Sequence, residues 1–455
     1  MLKKLLPATL IWEELMRHRF SLLAACAAML AGTSVGASAQ ETLTIATVNN
    51  GDMIRMQGLT DAFTEQHPDI QLNWVTLEEN VLRQRVTTDI ATNGGQFDIM
   101  TIGTYEVPIW AENDWLLPLD NLGDDYDVDD LIPAIREALS KDGTLYAAPF
   151  YAESAMTLYR TDLFEAAGIE MPEAPTWDFI ADAARQISEA NDDVYGICLR
   201  GKPGWGENMA FLGSMARSYG ANYFDASWQP QFDSEGWTTA VTQYVDMMTN
   251  YGPPGAASNG FNENLTLFNQ GRCAMWMDAT VAASFVTNPE ESQVAENVGF
   301  APFPCGVENC PNQGANWLWA WSLAIPAGSQ KAEAAETFIS WATSKAYLEL
   351  VAENEGWSNV PPGTRTSLYE NEQYTSEAPF AEQTLAAINN ADPSITDDKP
   401  YVGLQFAAIP EFQGLGTAVG QQMAAAVSGS MTVEQALQSA QQAAVREMTR
   451  AGYIQ

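Results

Sequence analysis

Between residues 43 and 102 the apolar side chains follow two alternating periods. The stretch LTIATV at 43–48 alternates apolar and polar positions as a half-buried strand does, and it ends in the turn Asn49-Asn50-Gly51-Asp52. Met53, Met56, Leu59 and Phe63 then recur at helical spacing. The unit repeats: IQLNWV predicts a strand, Val81, Leu82, Val86 and Ile90 predict a helix, and Phe97 to Ile102 predicts a buried strand. Strands alternating with helices predict a parallel α/β sheet. Ligands of such sheets bind beyond the carboxyl ends of the strands, which directs attention to Asn50 and Asp52 after the first strand and to Thr104, Tyr105 and Glu106 after the third. Asp52 is equally suited to cap the helix that follows it.

Further along, Leu145 to Tyr159 has an extended, aromatic-rich pattern interrupted by Pro149. A helix is predicted from about Thr176, with Trp177, Ile180, Ala184 and Ile187 on its inner face. This second α/β region runs to about Ala315 and includes the apolar strand Ala274 to Met277. Next comes the strand NWLWAWSLAIP, in which Trp317, Trp319 and Trp321 share one face, one of them bordering a cleft. Glu333 to Thr343 predicts a helix with Ala335, Phe338, Ile339 and Ala342 inward. The last two helices are predicted at Gly416 to Val427 and Thr432 to Met448, the latter opened by a capping box of Thr432 and Gln435.

Composition restricts what such a fold can do. Of 455 residues, 46% are hydrophobic and 17% charged, enough apolar material for more than one core. Residues 1–39 read as a secretory signal: Arg17-His18-Arg19, an apolar run from Ser21 to Val35, and Ala37-Ser38-Ala39 before Gln40. Met16 is an alternative start. A membrane anchor and a lipoprotein modified at Cys26 are the competing readings of this segment. The segment holds four basic and two acidic side chains, so the remainder carries 17 basic against 56 acidic, a net charge of −39. That field repels nucleic acid and anionic membranes. Only His18 and His67 are present, which removes the central residue of Ser-His-Asp catalysis and of His-ligated metal sites. In an oxidising compartment Cys305 and Cys310 suit a local disulfide, with zinc as the rival reading; Cys198 and Cys273, inside apolar runs, read as buried small hydrophobes.

Five blocks in register carry a family likeness: VNNGD at 48–52, FDIMTIGTYEVPIWAENDWLLPLD at 97–120, LYAAPFYAESAMTLYRTDLFEAAG at 145–168, NLTLFNQGRCAMWMDAT at 264–280 and NWLWAWSLAIPAGSQKAEAAETFISWATS at 316–344. The chain resembles the solute-binding proteins of carbohydrate ABC transporters, the maltose-binding-protein group, and most nearly its sorbitol- and mannitol-binding members. The resemblance implies a type II periplasmic binding fold: two α/β lobes joined by crossover strands near Pro149 to Glu153 and Trp317 to Trp321, with the ligand between them. On this basis lobe I takes residues 40–150 and 322–368, and lobe II takes 151–321 with most of 369–455. It further implies a monomeric periplasmic receptor that needs no cofactor or metal, takes a polyol or sugar and hands it to the transmembrane subunits of a permease.

The expected ligand contacts combine this resemblance with residue chemistry. Hydroxyl-rich ligands call for planar, multidentate polar groups and aromatic faces. Asn50, Asp52, Tyr105, Glu153, Arg200, Trp205, Glu207, Asp278, Trp317 and Arg365 are the candidates. Arg200, Trp205 and Glu207 lie in the Gly-rich loop RGKPGWGEN, which can equally be a solvated loop. Asp278 ends an apolar strand and needs a partner there. Glu153 suits a structural ion pair at the hinge as well as a ligand contact, and Arg365 suits a surface ion pair. Asp52, Glu153, Arg200, Asp278 and Arg365 together compose a charged cage for a linear hexitol, whereas Trp205, Trp276 and Trp317 serve a ring. A mono- or disaccharide receptor, a receptor serving chemotaxis and a glycosidase using Glu153 and Asp278 are the rival functions.

Overall fold

The computed structural model describes residues 40–306 and 316–455. The signal segment with Met16 and Cys26, and the loop with Cys310, lie outside the described residues.

Ten strands are present among the described residues: β1 Glu41–Val48, β2 Ile70–Leu77, β3 Ile99–Gly103, β4 Ser140–Lys141, β5 Thr144–Leu145, β6 Ala148–Glu153, β7 Ala155–Arg160, β8 Met275–Ala279, β9 Val298–Pro302 and β10 Trp319–Ala324. Five of them form one sheet in the order β2-β1-β3-β10-β6, three form a second sheet in the order β8-β7-β9, and β4 pairs β5 in a small hairpin. The larger sheet is parallel only in part. β1 runs parallel to β2 and β3, but β10 is antiparallel to both β3 and β6, and the second sheet is antiparallel throughout. Parallel neighbours need a helical crossover between them. The first three strands have such crossovers; β6 and β10 connect to the other sheet instead, β6 continuing into β7 across the single residue Ser154.

Apolar patterning accounts for most elements. β3 and β10 are buried along their whole length, whereas β2, at the sheet edge, buries only Ile70 and leaves its other positions partly or fully exposed. Met53, Met56 and Phe63 are buried as expected, but the pattern covers two helices, Gly51–Gly58 and Thr60–Gln66, with Leu59 between them. The helix cap is Asn50, whose side chain accepts the Met53 N–H at 3.0 Å. Asp52 sits in the first helical turn, so the capping role read for it belongs to Asn50. Thr176 caps Trp177–Ala190, whose Trp177, Ile180, Ala184 and Ile187 are all buried. The Thr432/Gln435 capping box opens Val433–Ala451. Helix Ala332–Ala342 packs on β1 and β6, and helix Ala381–Asn389 packs on β7 and β9.

Two cysteines depart from the sequence reading. Cys198 and Cys273, expected as thiols, form a disulfide across 75 residues of chain. Parallel bridges Tyr195 to Cys273 and Cys198 to Trp276 lay the two segments side by side and bring the Cα atoms to 6.0 Å. Cys305 is also disulfide-bonded.

Candidate functional site

Between the two sheets lies a cavity of about 160 Å³. Its wall is built from both sides. The β1 end and the helix Glu79–Ala91 contribute Asn50, Glu78, Glu79 and Arg83; the crossover strand β6 contributes Tyr151 and Glu153. Across from them, the loop before helix Asn208–Ser218 supplies Arg200, Lys202, Trp205 and Glu207, and the approach to β10 supplies Trp317, Trp319 and Trp321.

The Gly-rich loop is buried rather than solvated, with Arg200 6%, Trp205 2% and Glu207 4% exposed. Glycine is required there: a Cβ on Gly201 would stand 2.1 Å from the Ala256 carbonyl oxygen. Asn208 fastens the loop, its Nδ2 donating to the Gly420 carbonyl at 2.8 Å. Arg200 donates Nη2 to Asp278 Oδ1 at 2.6 Å and Nε to both Asp278 oxygens at 3.0 and 3.1 Å. Burial acts to lower the Arg200 pKa, but Asp278 outweighs it and the group is held above its ordinary value. Asp278 also accepts the Trp276 indole N–H at 2.9 Å. It therefore stands behind Arg200 as its buried counter-ion.

On the opposite wall Arg83 pairs with Glu79 and Glu106, each at 2.8 Å. Its guanidinium lies 4.0 Å from the ring centre of Trp205, 4.7 Å from Trp319 and 4.6 Å from Trp321. Arg200 lies 5.8 Å from the Trp317 ring. Each indole of the wall thus already has a guanidinium against it. Glu106 accepts the Gly103 N–H at 2.9 Å, which ties Arg83 to the end of β3.

Glu153 is different, because among the described residues it forms no ion pair. Burial pushes it up to about 8; Arg200 opposes this, and Asp278 and Glu79 add to it. The Trp317 indole N–H favours its charged form without a hydrogen bond of good geometry. Glu207 is pushed up to about 7 by burial and by Glu79, against Arg200 and Lys202. Its Oε2 and the Trp205 Nε1 are buried without a hydrogen bond. Buried polar atoms of this kind are satisfied in native proteins by a bound group or by water.

Several contacts close the cavity from side to side. Lys202 meets Glu78 at 2.5 Å, Asn80 donates to the Pro203 carbonyl at 3.2 Å, and Asn262 donates to the Asn49 carbonyl at 3.0 Å.

Six of the ten candidate residues line the cavity: Asn50, Glu153, Arg200, Trp205, Glu207 and Trp317. The other four are placed elsewhere. Asp52 is paired with Arg55 at 2.6 Å, and Asp278 stands behind Arg200. Tyr105 donates its hydroxyl to the Ile409 carbonyl at 2.9 Å and backs Trp205 at 4.7 Å between ring centres. Arg365 is buried, donating to the Asp127 and Thr343 carbonyls at 3.1 Å, 3.5 Å from Asp130; it is no surface ion pair. All three tryptophans of the alternating run border the cavity instead of one: Trp319 and Trp321 share a face of β10, and Trp317 lies just ahead of the strand. Trp276 is core, packed on Phe261 and Phe268. The reading from sequence missed Arg83, Glu79 and Lys202. The Glu79/Arg83 spacing of four was a visible signal of a helical ion pair, but not of its destination.

Residues 50–349 match the profile of the bacterial extracellular solute-binding proteins. The chain belongs to that family. This solute-binding protein is 56% identical to the mannitol-binding protein of Pseudomonas aeruginosa, over 92% of this chain and 95% of that one. An ABC transporter solute-binding protein from Agrobacterium vitis S4, solved with bound D-mannitol, shares 64% identity with a TM-score of 0.88, covering 90% of this chain and 99% of that one. A solute-binding protein from Agrobacterium radiobacter K84 in complex with ribitol has the same fold at 23% identity and a TM-score of 0.78, over 89% and 98% of the two chains. The fold is the two-lobe type II arrangement. These relatives are binding proteins, and this chain is a binding protein and not an enzyme. No helix among the described residues is long and apolar enough to cross a membrane.

Proposed function

We propose that this protein is the periplasmic receptor of an ABC importer for a linear hexitol of the mannitol or sorbitol type, caught by closure of the two lobes and passed to the permease. The observation that carries this reading is the cavity: about 160 Å³, walled by polar and charged groups, with a guanidinium against each indole. Pockets for drug-sized ligands occupy roughly 300–1,000 Å³, so a cavity of this size suits one small molecule and not an oligosaccharide. A pyranose ring gains most from an open aromatic face, whereas a linear alditol carries hydroxyls on every side and gains from charged partners. The two relatives associated with mannitol point the same way.

Asn50, Glu153, Arg200, Trp205, Glu207 and Trp317 are the ligand contacts in this reading, joined by Tyr151, Glu79, Arg83 and Lys202. Lobe I, residues 40–150 and 322–368, carries most of the five-stranded sheet, and lobe II, residues 151–321 and 369–455, carries the three-stranded one, with β6 and β10 running across the boundary. The continuous run from β6 into β7 supports one crossing at residues 153–155. Secretion through a cleaved signal and action as a monomer complete the reading.

Calorimetry tests it. Mannitol or sorbitol should bind at least about tenfold more tightly than glucose, a difference of about 1.4 kcal/mol, and maltose should not bind. Tight glucose or disaccharide binding with no response to either hexitol overturns the ligand assignment and leaves the receptor fold untouched.

A further inference from the structure

The charged groups of the cavity do not balance, and the imbalance has one address. Three cations reach the wall, and each is already engaged. Arg83 holds Glu79 and Glu106. Arg200 holds Asp278 and stands 3.7 Å from Glu207. Lys202 bridges Glu78 at 2.5 Å and Glu207 at 3.3 Å. Glu153, only 7% exposed and in the cavity wall, is left without a cation among the described residues. The groups acting on it from the surrounding elements are Arg200 from the Gly-rich loop, Asp278 from β8, Glu79 from its helix and Trp317 ahead of β10. Two of these are further carboxylates. Three atoms of the same wall, Glu207 Oε2, Trp205 Nε1 and Trp317 Nε1, are buried without hydrogen bonds and so mark where a ligand is received.

We infer that Glu153 is the charge filter of this site: it admits neutral polyols and polyols carrying an ammonium group, and it excludes polyols carrying a carboxylate. This rests on the reading of the cavity as a hexitol site and adds a rule that the hexitol reading does not contain. A sugar acid would bring an anion to a wall whose cations are all paired and whose spare group can carry no positive charge, so the carboxylate would be desolvated with no free cation to compensate it. An amino polyol brings the missing counter-ion. At pH 7 Glu153, pushed up to about 8, is held mostly as the carboxylic acid. On binding an ammonium ligand it ionises: the O–H bond breaks, the carboxylate pairs with the ammonium, and one proton leaves to solvent.

The test is calorimetry on the whole protein at pH 7 with three probes of one carbon length: mannitol or sorbitol, 1-amino-1-deoxysorbitol, and the aldonate gluconate. Repeating each titration in two buffers of different ionisation enthalpy counts the protons released. The amino hexitol should bind at least as tightly as the neutral hexitol with close to one proton released. The aldonate should bind at least about a hundredfold more weakly, the scale of an unpaired buried charge. In the isosteric variant Glu153→Gln, the ratio of amino-hexitol to hexitol affinity should fall at least about tenfold, the worth of a charge-assisted bond, and most of the proton release should be lost, only Glu207 being left in the wall to supply a proton. Aldonate binding within tenfold of the hexitol, or proton release unchanged in Glu153→Gln, overturns the charge filter while the hexitol reading stands. Failure of both neutral hexitols to bind sinks that reading and this inference together.

Discussion

Asp278 shows how a residue's neighbours decide its role. Its carboxylate is fully buried and its oxygens are taken by Arg200, the Trp276 indole and the Ala279 N–H. Replacing it by asparagine keeps the shape but leaves Arg200 buried beside a neutral amide. Denaturant unfolding of Asp278→Asn should show a loss of about 3 kcal/mol, the low end for breaking a buried pair, because Glu207 at 3.7 Å still faces the guanidinium. Loss of ligand affinity should follow from a displaced Arg200. The raised acids give a second expectation. Asp52 at about 6, Glu207 at about 7 and Glu153 at about 8 all hold protons in the folded chain that the unfolded chain has released. Their contribution to stability is therefore complete below the ordinary carboxylate range and is lost as pH climbs to about 8. Without ligand, the melting temperature should fall between pH 5 and pH 8, and Glu153→Gln should flatten that slope; a melting temperature that rises across this window contradicts the assignment.

At the scale of elements, the Cys198–Cys273 bridge ties the segment entering the Gly-rich loop to the start of β8, the two pieces that carry Arg200 and Asp278. A loop of 75 residues is closed by it, so the double variant Cys198→Ser/Cys273→Ser should lose about 2–4 kcal/mol of stability in denaturant titrations. Ligand affinity should drop as well, since both members of the ion pair lose a fixed anchor. Some helices were legible from sequence: Trp177–Ala190 follows from its apolar spacing and Val433–Ala451 from its capping box. The pairing of the strands was not. Nothing in WLWAWSLA distinguishes a strand that lies antiparallel to β3 and β6 from one that continues a parallel series, because its burial on both faces removes the alternation that would set its register.

For the whole molecule, closure is the property that function needs. Lys202 to Glu78, Asn80 to Pro203 and Asn262 to Asn49 join the two sides of the cavity. One half-buried ion pair and two amide-to-carbonyl hydrogen bonds contribute little by themselves. A ligand that touches both walls supplies the difference in free energy between open and closed forms, and the population follows it. Small-angle scattering should register a smaller radius of gyration when the bound hexitol is added, and Lys202→Ala should weaken both compaction and affinity; an unchanged radius at saturation would refute the clamp.

Sequence alone determined what depends on neighbours along the chain: the order of strands and helices, the capping box at Thr432, the acidic surface, and the Gly-rich loop that presents Arg200, Trp205 and Glu207. Only the tertiary structure decided which charges meet. Arg83 is one basic residue in an ordinary helix until folding sets it against Trp205, more than a hundred positions away in sequence, and Glu153 is one of 58 acids until folding buries it with no ion-pair partner among the described residues. The physical reason is range: periodicity and capping are set within a few residues, whereas the protonation and partnering of a buried charge depend on every group that folding brings within a few ångströms, wherever it lies in the chain.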